Sequence, residues 1–145
     1  MHYKFDMRQL RAGIGFGTID TPMGKNAINV DGPALHHARN AIDIAKKDKL
    51  MGGVFEGFGA TYDLAFNGFA RLLQHHRARL KPQQRKVIEL LRQSLTQAAI
   101  ADKLGITRQA VSLYAGAAGW HAYREGEEGW RALLAQISLG DAPRQ

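Results

Sequence analysis

Within the 145-residue chain, residues 95–112 read LTQAAIADKLGITRQAVS, and the spacing inside this stretch constrains the fold more than any other part of the sequence. Two helices that cross steeply through a three-residue turn need a small side chain where their backbones touch, and Ala101 occupies that position. Four residues on, Gly105 tolerates the positive φ that ends the first helix. Leu104, Ile106 and Val111 supply the apolar contacts between the pair. Thr107 is placed to cap the second helix, whose early residues Arg108, Gln109 and Ser112 project outward. The pattern predicts a helix-turn-helix. An ordinary helical hairpin gives no reason for a capped second helix that exposes Arg and Gln in its first turn.

The flanks extend this into an all-helical domain. Pro82 suits the first turn of a supporting helix, and Val87, Ile88, Leu90 and Leu91 give it an apolar face up to Arg92. Gly116, Gly119 and Trp120 are expected to end the second helix of the pair. Trp130, Leu133, Leu134 and Ile137 recur at offsets of three, four and seven, which predicts a closing helix over residues 127–139. The expected domain therefore spans residues 81–145, with a frayed tail from residue 140.

A helix end that presents Arg and Gln suits double-stranded DNA. Arg donates two parallel hydrogen bonds to guanine O6 and N7, and Gln pairs with adenine N6 and N7 in the major groove. Arg108 and Gln109 are the expected base readers, with Ser112 reaching a base or a phosphate. Thr107 is expected to hold a phosphate at the helix N-terminus, which positions without specifying. Leu113 is open between a thymine-methyl contact and the core. The chain carries 20 Lys and Arg against 13 Asp and Glu, a net charge of +7, which favours polyanionic partners. Lys81, Arg85, Lys86, Arg92 and Lys103 are the expected phosphate-neutralising residues.

Ahead of this domain the periodicity changes. Over residues 9–18, Leu10, Ala12, Ile14 and Phe16 alternate with Gly13, Gly15 and Gly17, which predicts a strand with one bare face. A helix packed tightly over the glycines is the favoured reading of that face, and a phosphate site the lesser one. Asp31, Gly32 and Pro33 read as a helix start, with Asp31 capping free amides. A second strand over residues 50–55 and an amphipathic helix over residues 61–80 follow, the latter striped by Tyr62, Ala65, Phe66, Phe69, Leu72 and Leu73. The expected fold class is α+β: a small βαβα unit over residues 1–80, serving dimerisation or sensing, then the helix-turn-helix domain. A two-stranded sheet buries little surface, so it is expected to borrow an edge from a second copy, giving a homodimer.

The segments RAGIGFGTI at residues 11–19 and DGPALHHAR at residues 31–39, together with GITRQAV at residues 105–111, resemble the SatD family. The resemblance covers most of the chain and is to the later part of such proteins, which begin with a further segment containing a Gly-Asp-Glu-Phe type motif. It implies a partial ferredoxin-like domain of the class III nucleotide cyclase kind with a helix-turn-helix appended. Cyclase catalysis uses paired acidic residues that would lie in that earlier segment. Where a cyclase places an asparagine and then an arginine on the helix after its first strand, this chain carries His36 and Asn40.

Other chemistries find little support. With no cysteine there is no disulfide framework and no thiolate for zinc. Adjacent histidines on a helix point about 100° apart, so neither His36 with His37 nor His75 with His76 chelates one ion. Asp20, Asp31, Glu56 and Asp63 are too scattered to suggest a carboxylate pair. No cofactor, metal or catalytic constellation is expected, and the absence of a leader or a long apolar run points to the cytoplasm rather than a membrane. The expected function is sequence-specific transcriptional regulation rather than catalysis, with any small-molecule effector unknown. The alternatives are a nucleotide sensor built on the glycine face and a module that grips protein.

Overall fold

Residues 10–20 and 31–138 are described by a computed structural model of the chain. Among them run β1 (Arg11–Gly15), α1 (Pro33–Lys47), β2 (Gly52–Glu56), α2 (Ala60–Arg79), α3 (Pro82–Arg92), α4 (Gln97–Leu104), α5 (Arg108–Ala117) and α6 (Trp120–Ser138). Over the described residues the architecture is α+β, a two-stranded parallel sheet with six helices. The chain divides into two units, one holding the described residues up to Gln74 and from Trp130 onward, the other His75–Gly129. The division falls inside α2 and inside α6, whereas the expected one lay between residues 80 and 81.

In the first unit the alternation along β1 decides what each face of the sheet receives. Gly13 lies opposite Val54 and Ile14 opposite Phe55 in the parallel register. α1 packs on the glycine side. A Cβ on Gly13 would stand 2.2 Å from the Ala38 carbonyl oxygen, and one on Gly15 would stand 2.1 Å from that of Ala34. The bare face of the strand is thus filled by helix backbone, and Ala41, Ala45 and Val54 complete a small core there. It leaves no room for a phosphate compound at these glycines. The first turn of α1 is also engaged, since the Ala34 amide donates to the Thr18 carbonyl at 3.2 Å.

The start of α1 differs from expectation in one respect. Its N-cap is Gly32, at φ 148 and ψ 165, a conformation reserved for glycine. Asp31 Oδ1 accepts from the Gly32 amide at 2.8 Å, one residue before the helix.

On the opposite face Phe55, Phe58, Phe66 and Ile137 form a buried aromatic core, with Ile14, Phe16, Tyr62, Trp130, Leu133 and Leu134 packed against it. Phe66 is fully buried, and the Trp130 ring meets Phe55 edge-on at 5.5 Å. The stripe predicted for the closing helix exists, but it covers the sheet unit and not the helical unit. Its helix begins at Trp120, seven residues before the expected start. Of the stripe predicted on α2, Leu72 stands apart, being 69% exposed.

The β2 edge is closed from within. Asn67 of α2 accepts from the Phe55 amide at 2.9 Å and donates to the Phe55 carbonyl at 2.8 Å, imitating a neighbouring strand. At this residue the sheet therefore needs no edge from a second copy. Asp63 accepts from the Gly57 and Phe58 amides at 3.1 and 3.0 Å, which holds the turn into α2. His36 lies 2.9 Å from Asp31, and Asn40 donates to both Glu56 carboxylate oxygens at 2.8 Å, so both positions singled out by the cyclase comparison are engaged locally.

In the second unit Val87, Leu90, Ile100, Ala101, Val111 and Ala115 form the core, with Leu91, Leu95, Leu104, Ile106, Tyr114 and Trp120 against it. α3 ends at a left-handed residue that is not glycine: Ser94 has φ 62, and the next amide, of Leu95, reaches back to the Leu90 carbonyl at 3.3 Å. His76 donates from Nε2 to the Ala118 carbonyl at 2.6 Å and stacks on Tyr123, which places the last turns of α2 on this core.

Two opposite substitutions test these backbone constraints. Gly15→Ala should cost about 3 kcal/mol, because a backbone atom of α1 cannot yield as a flexible side chain can. Ser94→Gly should add about 0.5 to 1 kcal/mol by relieving a left-handed residue with a Cβ. Urea unfolding of the full chain measures both.

Candidate nucleic-acid interface

The geometry of α4 and α5 follows from Gly105. It sits at φ 64 and ψ 37, and the Ile106 amide returns to the Ala101 carbonyl at 3.0 Å while the Gly105 amide meets that of Asp102 at 3.4 Å. This is the glycine-dependent closure in which an apolar residue beyond the turn packs back on the helix it leaves. Ile106 does so, half-buried against the core beside buried Ala101. Leu104 is half-buried and Val111 fully buried, so these two lie with Ala101 and Ile106 in or against one core.

Both helices carry hydroxyl caps. Thr107 Oγ1 accepts from the Ala110 amide at 3.1 Å, as predicted. Thr96 Oγ1 accepts from the Ala99 amide at 3.2 Å, a second cap that sequence reasoning missed although Thr96 directly precedes the helix. With Val111 and Ala115 turned inward, α5 presents Arg108, Gln109, Ser112 and Leu113 to solvent. Gln97, Arg108, Gln109 and Ser112 line an open depression of about 520 Å³. Gln97 is the further residue here. Its signal in the sequence is its place directly after Thr96, in the first turn of a capped helix.

The basic residues divide. Lys81, Lys86, Lys103 and Arg108 are exposed and have no ion-pair partner among the described residues. Arg85 is half-buried and donates to the Leu80 carbonyl at 3.1 Å. Arg92 is held by Glu127: Nη2 donates to one carboxylate oxygen, and Nε to the other at 3.1 Å. That bond holds the Arg92 guanidinium above the usual arginine range, against the opposing effect of partial burial. Arg92 is thus a structural tie between α3 and α6 and is not free to neutralise a phosphate. Two of the five lysines and arginines picked for phosphate contact are therefore turned to the protein itself.

What remains on α5 is a face with the charge of Arg108 and the polar side chains of Gln109 and Ser112, mounted on a helix locked from behind by its own core. Such a face can donate and accept hydrogen bonds toward a polyanion whose edges carry both kinds of group. Among the described residues no cluster of histidine, aspartate or glutamate is arranged to hold a metal ion. No described helix is long and apolar enough to cross a membrane. No family model, curated protein or solved structure matches this chain.

The cap on α5 is directly testable. Thr107→Ala should cost about 1 kcal/mol of stability, whereas Thr107→Ser should retain most of it because the accepting oxygen survives. Thermal unfolding followed by circular dichroism distinguishes the pair. Equal losses would mean that the methyl group, not the oxygen, matters.

Proposed function

We propose that this chain is a sequence-specific DNA-binding regulator in which α4, the Gly105 turn and α5 act as a helix-turn-helix. The observation that carries the reading is the exposure of Arg108 and Gln109 in the first turn of α5, on a shared depression with Gln97 and Ser112. Had those two side chains been buried, the reading would fail. α5 enters the major groove, Arg108 pairs with guanine, Gln109 with adenine, and Ser112 with a base or phosphate. Lys81, Lys86 and Lys103 neutralise phosphates, and Thr107 positions one at the helix N-terminus.

The βαβα unit is assigned as the partial ferredoxin-like, cyclase-type domain that the resemblance to the SatD family implies, serving dimerisation or sensing. In a dimer, two α5 helices would read half-sites about one helical turn, roughly 34 Å, apart. The rival in which a nucleotide sits on the glycine face is weakened, since α1 backbone fills the space at Gly13 and Gly15.

Selection of bound duplexes from genomic fragments, followed by titration at two salt concentrations, tests the reading. Affinity should fall steeply with salt. Arg108→Ala should lose about 1 to 3 kcal/mol on the selected site and far less on random duplex. Lys86→Ala and Lys103→Ala should weaken both equally and flatten the salt dependence. Weak binding with no salt dependence would instead favour a protein-gripping module.

A further inference from the structure

Among the described residues, Leu113 takes little part in the protein's own packing. It is 70% exposed on a helix whose inward positions are filled by Val111 and Ala115, and it is not part of the core those two join. Leaving a leucine in water forfeits most of the stabilisation its burial would bring. It stands one turn beyond Gln109, so the two side chains are stacked neighbours on one helical face, as Arg108 and Ser112 are beside them. The polar pair and the apolar residue therefore share one open surface.

The face stays low beyond Leu113. Gly116 and Ala117, the next residues along these two columns, are exposed, and a Cβ built on Gly116 meets nothing within 4 Å. Gly116 has no positive φ to justify it and no neighbour to accommodate, yet a glycine inside a helix costs roughly 0.5 to 1 kcal/mol relative to alanine. Small residues there let another surface approach α5 along its length and bring Leu113 into contact.

We infer that Leu113 is a specificity-determining residue that reads a thymine through its 5-methyl group, next to the base read by Gln109. The inference rests on the DNA-binding reading above. Thymine is the base whose major-groove edge carries an apolar group, and an aliphatic side chain recognises it by excluding water from the methyl. Arg108, exposed in the column beside Leu113, supplies the charge complementarity that favours a nucleic acid over an apolar protein surface. Leu113 thereby adds to the hydrogen-bonding readers a contact that hydrogen bonding does not supply.

Uracil in place of thymine removes only that methyl and keeps base pairing, so it isolates the contact. Duplexes selected by the full chain from a random-sequence pool are resynthesised with uracil at each thymine in turn. The unmodified chain should lose about fourfold in affinity at one thymine in each half-site, the worth of one buried methyl. Leu113→Ala should bind the thymine duplex weakly and be indifferent to the exchange at that position. Its thermal midpoint should change little, since most of the side chain is already in water.

The inference is overturned if no single thymine matters, or if Leu113→Ala remains sensitive to the same one. Should either occur while Arg108→Ala still weakens binding to the selected site far more than to random duplex, the helix-turn-helix reading survives and only the role of Leu113 falls. Should the chain enrich no sequence and show no salt-dependent binding, both fall together.

Discussion

Because Gly105 turns the chain with a left-handed residue, the Ile106 amide can reach the Ala101 carbonyl, and α5 leaves α4 in one direction only. A Cβ at this φ is strained even though nothing crowds the space around it. The rest of the helical unit is arranged to hold that direction. Ile100 and Val111 are fully buried on either side of the turn, and Ala101 is small enough to let the two helices meet. The outward face of α5 is thus a consequence of what its inward face must bury.

The sheet unit is governed by a different closeness. α1 lies so near β1 that the glycines at 13 and 15 admit no side chain, and the other face is built from large aromatic rings. A two-stranded sheet alone buries too little to be stable. Here it is enclosed by helix on one side and by α2 with the last turns of α6 on the other, and Asn67 satisfies the backbone of Phe55 at the β2 edge. These devices supply internally part of what a partner strand would offer.

Charge on the helical unit is divided by pairing. Arg92 finds Glu127 and Arg85 finds a carbonyl oxygen, so the donors of both are taken up within the protein. The lysines keep their ammonium groups in water and remain available for longer-range attraction. A count of basic residues therefore overstates the charge that a polyanion would meet.

Much of this was legible in the sequence where the signal is local. The turn at Gly105, the Thr107 cap, the proline starts of α1 and α3 and the glycine face of β1 each follow from backbone conformation or periodicity within a few residues. So does the outward placement of Arg108, Gln109 and Ser112. Tertiary structure alone decided that the Trp130 stripe belongs to the sheet unit, that Glu127 takes Arg92, that Asn67 satisfies Phe55 at a strand edge and that Leu113 is left exposed. Each of these pairs or separates residues far apart in the chain, or depends on which of two apolar surfaces wins a side chain. Spacing along one helix cannot carry that information, because periodicity says which residues share a face and not what the face will meet.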